Sequence, residues 1–390
     1  MPYNFNEIID RYNTNSEKYD FAAENGKPAD ILPMWVADMD FKAPPEILAA
    51  LQTTVEHGIF GYSETKDDYF ATVANWYKTY FNWQVQPDWL IKTPGVVFAI
   101  CATIRALTKP GDAVLIQQPV YYPFALSIEQ NDRKLVNNNL VYQDGYYTID
   151  FADFEQKIID NKVKLFILCS PHNPVGRVWR KEELMRLGDI ACRHKVYIIA
   201  DEIHSDFVNE GYTHHVFAAL KPEYLERTIT CTAPSKTFNL AGLQVSNIFI
   251  ANSEVRAKVA TAIAATGYCE LNTMGIVAAK AAYTHGRQWL DELKQYIASN
   301  AAFAEVFLAN HLPKVKLIKP EGTYLLWLDF SDLGLTDQAL NNIIVNSAKL
   351  WFDEGTMFGS AGTNFQRINI ACPRATLATA LQRLAKALND

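Results

Sequence analysis

The sequence predicts an α/β protein with a mainly parallel sheet in a large domain and a second, smaller α+β domain. Two observations lead to this fold class. Short apolar runs recur between segments of helical pattern, and each run is followed by polar residues or by Pro and Gly. The chain also has 390 residues, 49% of them hydrophobic, which is enough for two domains with a large core.

Five of the apolar runs are predicted strands of one sheet. They are apolar on both faces, which is typical of parallel strands covered by helices, and the helical pattern at 181–194 separates two of them. The predicted strands are 113–117 (AVLIQ), 164–169 (KLFILC), 196–200 (VYIIA), 228–232 (TITCT) and 247–251 (NIFIA). Ligands of such sheets bind outside the carboxyl ends of the strands, so the polar residues that follow these runs predict a site.

The last third of the chain has a different pattern. It is helical from about 281 to 311, and short apolar runs, a helix at about 336–349 and a terminal helix follow. We therefore predict a large domain at 45–284 and a small domain made of 1–44 and 285–390.

Charge and cysteine content narrow the class of protein. The formal net charge of −7 argues against nucleic-acid binding, which usually requires a basic surface. The six cysteines are scattered through apolar stretches without a CxxC pair, which is typical of reduced thiols in a cytoplasmic protein. The first 21 residues contain no apolar stretch of a secretory signal, and no apolar run has the length of a membrane span. We expect a cytoplasmic protein that binds neither membrane nor nucleic acid.

Lys236 lies in the segment APSKTFNLAGLQVS, directly after the predicted strand 228–232. Taken alone it is an exposed loop residue, because lysine is among the least buried residue types. The alternative is an amine that forms a Schiff base with a carbonyl, as in pyridoxal-phosphate (PLP) enzymes. That cofactor also requires an acid for its pyridine nitrogen, a phosphate site, a flat partner for its ring and a donor to its phenolic oxygen.

Residues of these types follow the other predicted strands or begin a predicted helix. Each has a plainer interpretation when taken alone: a helix cap for Asp201, a turn for Gly95 and Asn173, and packing at a core edge for Tyr121 and Tyr122. Together they occur at the strand ends of one predicted sheet, which the plainer interpretations leave unexplained.

The adjacent His214 and His215 are accompanied by no further ligands at metal spacing. We interpret them as loop residues and predict no metal site.

The chain resembles the fold-type-I PLP-dependent enzymes, the aminotransferase class I/II superfamily, over essentially its whole length. The motifs PHNPVG, ADEIHSDF, APSKTFNLAGL and FQRINIACPR occur in the order and spacing of that superfamily. PMWVADMDF, FGYS, PVYYPF and the histidine of ADEIH are similar to the cystathionine β-lyase branch, the C–S lyases of the maltose-regulon modulator and PatB-like types. The resemblance implies a seven-stranded sheet in the large domain and PLP as cofactor.

The resemblance also implies roles for individual residues. Lys236 would be the Schiff-base lysine, Asp201 the partner of the pyridine nitrogen, and Tyr121 the ring stacked on the cofactor. Asn173 would bind the phenolic oxygen, and Arg367 the α-carboxylate of the substrate. The other residues implied to line the cofactor or substrate site are Val96 and Val97 beside Gly95, Ser235, His204, Tyr122 and Trp35. Tyr62 would reach the phosphate of a neighbouring subunit, which implies a homodimer with shared sites.

The implied reaction is an α,β-elimination that converts a sulfur amino acid to a thiol, pyruvate and ammonia. Two departures from the aminotransferase pattern agree with this branch: His204 replaces a tyrosine, and Gln244 replaces an arginine near the phosphate. An aminotransferase of amino acids stays an alternative because it uses the same residues. A regulatory protein that binds a transcription factor is the alternative of another class.

Overall fold

The computed structural model describes residues 3–389 and contains both helices and strands throughout. The α-helices are α1 (Glu17–Asp20), α2 (Pro45–His57), α3 (Asp67–Phe81), α4 (Val96–Leu107), α5 (Pro123–Glu129), α6 (Phe151–Asn161), α7 (Lys181–Arg193), α8 (Pro222–Leu225), α9 (Pro234–Thr237), α10 (Ser253–Ala264), α11 (Thr273–His285), α12 (Arg287–His311), α13 (Asp337–Asn342) and α14 (Arg374–Asn389). The strands are β1 (Leu32–Pro33), β2 (Leu90–Thr93), β3 (Ala113–Ile116), β4 (Lys134–Asn137), β5 (Val141–Gln143), β6 (Tyr146–Thr148), β7 (Leu165–Cys169), β8 (Tyr197–Asp201), β9 (Thr228–Thr232), β10 (Ser246–Phe249), β11 (Lys316–Leu317), β12 (Leu325–Asp329), β13 (Leu350–Trp351), β14 (Asp353–Glu354) and β15 (Phe365–Asn369).

A seven-stranded sheet forms the centre of the molecule, in the order β2-β10-β9-β8-β7-β3-β4. Only β10 runs against its neighbours β2 and β9, and the other pairs are parallel. The predicted α/β class and the seven-stranded, mainly parallel sheet are confirmed. All five predicted strands are present, and their ends agree with the prediction to within two residues.

Both faces of this sheet are buried, which explains why its strands are continuous apolar runs. Leu115, Phe166 and Ile198 pack into a core on one face. The alternate residues, such as Ile167 and Ile199, pack into a second core on the other face. In β3, β7 and β8 the strand interiors are apolar, and polar residues such as Asp201 come at the carboxyl ends, where the sheet opens into a cavity.

A smaller antiparallel sheet, in the order β11-β12-β15-β14, is built from the C-terminal part of the chain. The N-terminal segment joins this part through β1, which pairs with β13 so that Leu32 lies opposite Leu350. This pairing agrees with a small domain that contains both ends of the chain. The domain bounds 45–284, 1–44 and 285–390 stay a prediction.

The segment predicted to be helical from about 281 to 311 is helical, but it is divided into two elements, because α11 ends at His285 and α12 begins at Arg287. Gly286 lies between them, and a Cβ atom placed on it would be 2.3 Å from Cε1 of Phe238. The apolar pattern continues across this contact, so periodicity alone does not reveal the break. The helix predicted at 336–349 is α13 followed by a π-helix at Ile343–Ser347. Within residues 3–389, no helix combines the length and the apolar character that a membrane span requires.

Candidate active site

A cavity of about 730 Å³ opens at the carboxyl ends of β7, β8 and β9. Its size is in the range of small-molecule sites. Every residue predicted for the site except Tyr62 lines it: Trp35, Gly95, Val96, Val97, Tyr121, Tyr122, Asn173, Asp201, His204, Ser235, Lys236 and Arg367. The parallel sheet brings most of these residues together because its strands end at one edge, while Arg367 comes from β15 of the smaller sheet and Trp35 from the N-terminal segment.

Lys236 lies on the short helix α9, which begins two residues after β9 ends. Its Nζ donates a hydrogen bond of 2.7 Å to the carbonyl oxygen of Ala37. Burial lowers the pKa of the amine to about 8, and the positive charge of Arg367 adds to the effect, while Asp38 and Asp201 oppose it. An amine with this pKa is partly neutral near pH 8, as a nucleophile or a base must be.

Asp201 is the last residue of β8 and is buried. Burial raises the pKa of its carboxyl to about 7, against a hydrogen bond from the backbone N–H of Ile203 and the charge of Lys236. That backbone bond, 3.1 Å long, reaches Oδ1. Among the described residues Oδ2 has no hydrogen-bond donor, so a cationic N–H in the cavity would satisfy it and stabilise the ionised form.

The N-terminus of α4 provides a site for an anion. Gly95 precedes the helix with an extended backbone, and the first N–H groups of the helix have no partner within the helix. A Cβ atom placed on Gly95 would meet no protein atom within 4 Å, which shows open space directly beside these groups. The hydroxyl-bearing Ser235 lines the same cavity. Unpaired N–H groups and the helix dipole together favour a phosphate here.

Arg367 lies on β15 and is held from several sides. Its Nη1 donates to Oδ1 of Asn173 at 2.9 Å, and its Nη2 donates to the carbonyl oxygen of Trp35 at 3.0 Å. Nη2 also forms an ion pair with the buried Asp353. The Nε of Arg367 is buried and has no partner among the described residues. The amide group of Asn173 uses its oxygen for this arginine, so its N–H groups stay available to a ligand.

The aromatic residues of the cavity are uncharged near neutral pH. Burial raises the pKa of Tyr121 and of Tyr122. Burial lowers the pKa of His204 to about 3, and the charges of Lys236 and Arg367 lower it further. His204 is therefore a neutral imidazole, and its Nδ1 has no hydrogen-bond partner among the described residues.

Several residues of the cavity were not predicted from the sequence. Arg11, Asn15, Glu17 and Asp38 line it from the N-terminal segment. Of these four residues only Asp38 lies in a quoted motif, PMWVADMDF, and that motif indicates the branch of the family rather than a role for Asp38. The buried Asp353 was also missed, because WFDEGTMFG matches no motif.

Four of the residues discussed from the sequence lie outside the cavity: Tyr62, Gln244, His214 and His215. The side chain of Tyr62 is fully exposed beside a second depression formed with the segment 267–274. Gln244 is exposed and does not line the cavity. His214 lies in a loop, as interpreted, but it is buried there, and its Nε2 lies 3.0 Å from Oε2 of Glu202.

The cavity therefore presents a partly neutral amine, a buried carboxylate, free amide N–H groups and a helix N-terminus. These groups fit the aldehyde, the ring nitrogen, the phenolic oxygen and the phosphate of PLP, respectively. The open space beside Gly95 and the unsatisfied oxygen of Asp201 are the observations that support the fit.

Comparison with known proteins identifies relatives that agree with the fit of this cavity to PLP. The model of the family "Aminotransferase class I and II" matches residues 29–384. Cystathionine beta-lyase PatB of Bacillus subtilis (strain 168) is 44% identical over 386 residues, which cover 99% of this chain and 100% of that protein. The structure of cystalysin from Treponema denticola, which contains a pyridoxal 5'-phosphate cofactor, has a TM-score of 0.97 and 40% identity and covers 100% of both chains. The PLP-bound C-S lyase from Staphylococcus hominis has a TM-score of 0.92 and 33% identity and covers 100% of this chain and 98% of that one.

Proposed function

The chain belongs to the aminotransferase class I and II family, and we propose that its reaction is a β-elimination centred on Lys236. It is a PLP-dependent carbon–sulfur lyase of the cystathionine β-lyase type, which converts a sulfur amino acid to a thiol, pyruvate and ammonia. The observation that best supports the assignment of residues is the Lys236 amine in one cavity with the buried carboxylate of Asp201 and the guanidinium of Arg367.

The cofactor would be held by four groups. Lys236 would attach it through the amine, and Asp201 would pair with the ring nitrogen. The helix N-terminus at Gly95 would hold the phosphate, and Asn173 would donate to the phenolic oxygen. When bound, PLP draws electron density away from the α-carbon of the substrate. Asp201 supports this effect because its negative charge keeps the ring nitrogen protonated.

Arg367 would bind the α-carboxylate of the substrate. Its Nε has no partner among the described residues, and Asn173, Asp353 and the carbonyl oxygen of Trp35 fix the orientation of its guanidinium plane. A guanidinium held in this way keeps its Nε–H and one N–H of Nη1 free to donate to a carboxylate, and its positive charge strengthens these hydrogen bonds. The substrate then presents its α-carbon to Lys236.

Lys236 would move the proton. Its amine, freed when the amino group of the substrate replaces it, would take the proton from the α-carbon of the substrate, and the resulting ammonium can deliver a proton to the leaving sulfur. The pKa of about 8 suits both steps, because neither protonation state is strongly disfavoured near neutral pH. The neutral His204 beside it adds no charge that would hold the lysine in one state.

Replacing Lys236 with alanine tests the assignment. We expect Lys236→Ala to lower kcat for L-cystathionine by at least about a thousandfold, since a positioned acid–base group contributes roughly 10²–10⁴ and the attachment of the cofactor is lost as well. Lys258→Ala, at an exposed position on α10, is the matched control and should keep native activity. A Lys236→Ala enzyme with native kcat would refute the role of this lysine.

We also propose a homodimer in which Tyr62 of each subunit contributes to the active site of the other. The fully exposed ring of Tyr62 and the exposed Ile59 and Phe60 beside it support this, because exposed apolar clusters mark protein contacts. Mixing two inactive variants, Lys236→Ala and Tyr62→Ala, tests it. If the sites are shared, each mixed dimer has one site with both substitutions and one native site. Random mixing makes about half of the dimers mixed, so up to about a quarter of native activity should return. No restoration in a verified mixed dimer would contradict sharing.

We propose a cytoplasmic location for the enzyme. All six cysteines are free thiols in the structure, and three of them (Cys169, Cys231 and Cys372) are buried. Free thiols are typical of proteins in a reducing compartment. Cell fractionation followed by immunodetection would test the location.

A further inference from the structure

The N-terminal segment forms part of the cavity lining beside Trp35, whose carbonyl oxygen accepts a hydrogen bond from Arg367. Arg11, Asn15 and Glu17 line the cavity together with Trp35. The indole of Trp35 stacks on Trp351, with ring centres 4.3 Å apart, and its Nε1 donates to the carbonyl oxygen of Lys18. These contacts fix this part of the cavity lining, which we call the N-terminal wall. Trp35 gives it an apolar surface, and the segment 11–17 gives it polar groups.

The charges around this wall are almost all paired with each other. Arg11 forms ion pairs with Asp38 and Asp40, at 2.5 and 2.8 Å. Lys18 is buried and forms an ion pair with Asp40 at 3.0 Å. The two positive charges of Arg11 and Lys18 are thus neutralised by two carboxylates, those of Asp38 and Asp40. Glu17 does not belong to this neutral group of charges, because its exposed carboxylate makes no ion pair or side-chain hydrogen bond with any residue in the range 3–389.

The other cationic groups of the cavity are already engaged. Arg367 is paired with Asp353 and would hold the α-carboxylate, and Lys236 would hold the cofactor. His204 is neutral because its pKa is lowered to about 3. A carboxylate at the far end of the substrate thus finds no unpaired cation among the described lining residues. An ammonium there finds the unpaired carboxylate of Glu17.

The field of Glu17 reaches the interior of the cavity. Its negative charge raises the pKa of Lys236 and of Tyr122, although it is a minor cause in both cases. This carboxylate is therefore close enough to act on a group bound between the opening and Lys236.

We propose that Glu17 is a specificity-determining residue that binds an amino group on the leaving thiol, so that the preferred substrates are cysteine thioethers with an ammonium-bearing sulfur substituent. This inference rests on the proposed β-elimination. L-cystathionine belongs to this class, because its leaving thiol is itself an amino acid. The methylene groups of such a substituent would pack along Trp35, while the ammonium stays at the partly hydrated opening beside Glu17.

Two substrates of similar size and opposite charge test the proposal with the holoenzyme. S-(2-aminoethyl)-L-cysteine carries an ammonium at the far end, and S-(2-carboxyethyl)-L-cysteine carries a carboxylate. The measured quantity is the ratio of kcat/KM for the first to kcat/KM for the second. We expect Glu17→Gln to lower this ratio about tenfold, mainly through KM, because the contact is made equally in the ground state and the transition state. Added salt should reduce the ratio of the native enzyme toward that of the variant.

Glu24→Gln is the matched control, because Glu24 is an exposed acid of the same segment that does not line the cavity. Its ratio should equal the native one. An unchanged ratio in Glu17→Gln would overturn the proposal while leaving the β-elimination intact. If the native enzyme releases pyruvate from neither thioether nor from L-cystathionine, the proposed function itself fails, and the role of Glu17 fails with it.

Discussion

Asp201 makes the apoenzyme less stable than it would be with a neutral residue at the same position. The carboxyl is buried, and its pKa is raised from 3.8 to about 7. Because the folded protein holds this proton more tightly than the unfolded chain, stability falls as the pH rises from about 4 to about 7 and is then level. Asp201→Asn removes the ionisable group and keeps an oxygen for the backbone N–H of Ile203.

The size of the effect follows from the difference between the two pKa values. A difference of one corresponds to about 1.4 kcal/mol, so the cost of the ionised carboxylate is about 4 kcal/mol above pH 7. At pH 5 it is roughly 1–2 kcal/mol. The variant should therefore be more stable than the native apoenzyme by an amount that grows by roughly 2–3 kcal/mol between pH 5 and pH 8. The same substitution should lower kcat of the holoenzyme by at least about a hundredfold.

Urea denaturation of the apoenzymes at pH 5 and pH 8 measures this difference, and Glu305→Gln, at an exposed position on α12, is the control. The control should track the native protein at both pH values. A stability advantage of Asp201→Asn that is equal at pH 5 and pH 8, or no advantage at all, would refute the view that burial of an unpaired carboxylate raises this pKa.

Three further substitutions have defined outcomes. Arg367→Lys should lower kcat/KM for L-cystathionine about a hundredfold, because an ammonium cannot keep the planar guanidinium's contacts with Asn173, Asp353 and Trp35 and also reach the carboxylate. Steady-state kinetics would measure the loss, and a loss under about threefold would contradict the role. Gly95→Ala should leave the melting temperature of the apoenzyme unchanged, because the added Cβ meets no protein atom. The same Cβ would fill the space beside the proposed phosphate site, so the affinity for PLP should fall about tenfold or more in an equilibrium titration. Native affinity would contradict the assignment. Gly286→Ala should instead lower the stability and leave PLP affinity unchanged. We expect roughly 1–3 kcal/mol of lost stability in denaturation, because its Cβ would lie 2.3 Å from Phe238. A native melting curve would contradict this expectation.

The fold and part of the cavity lining could be predicted because the relevant signals are local, whereas Trp35, His204 and Arg367 were implied only by the family resemblance. Each strand of the parallel sheet is a short apolar run, and the carboxyl ends of such strands lie at one edge. Residues that directly follow a run, such as Asp201 and Asn173, are therefore brought together without any knowledge of distances. Lys236 was found in the same way.

The missed features depend on contacts between distant segments. Glu17 and Arg11 belong to the N-terminal segment, which β1 joins to the C-terminal part by pairing with β13, more than 300 residues away. Asp353 is important only through its contact with Arg367. Gly286, at the break, lies against the ring of Phe238, which comes from another part of the chain and leaves no room for a side chain there. Periodicity and motifs carry no information on such contacts.

The most direct test of the central claim is the release of pyruvate from L-cystathionine by the purified, PLP-loaded enzyme in the absence of any 2-oxo acid. We predict steady release over many turnovers, together with an equal amount of thiol and of ammonia. Release that needs an added 2-oxo acid, with transfer of the amino group to it and no free thiol, would contradict the β-elimination and would identify the enzyme as an aminotransferase.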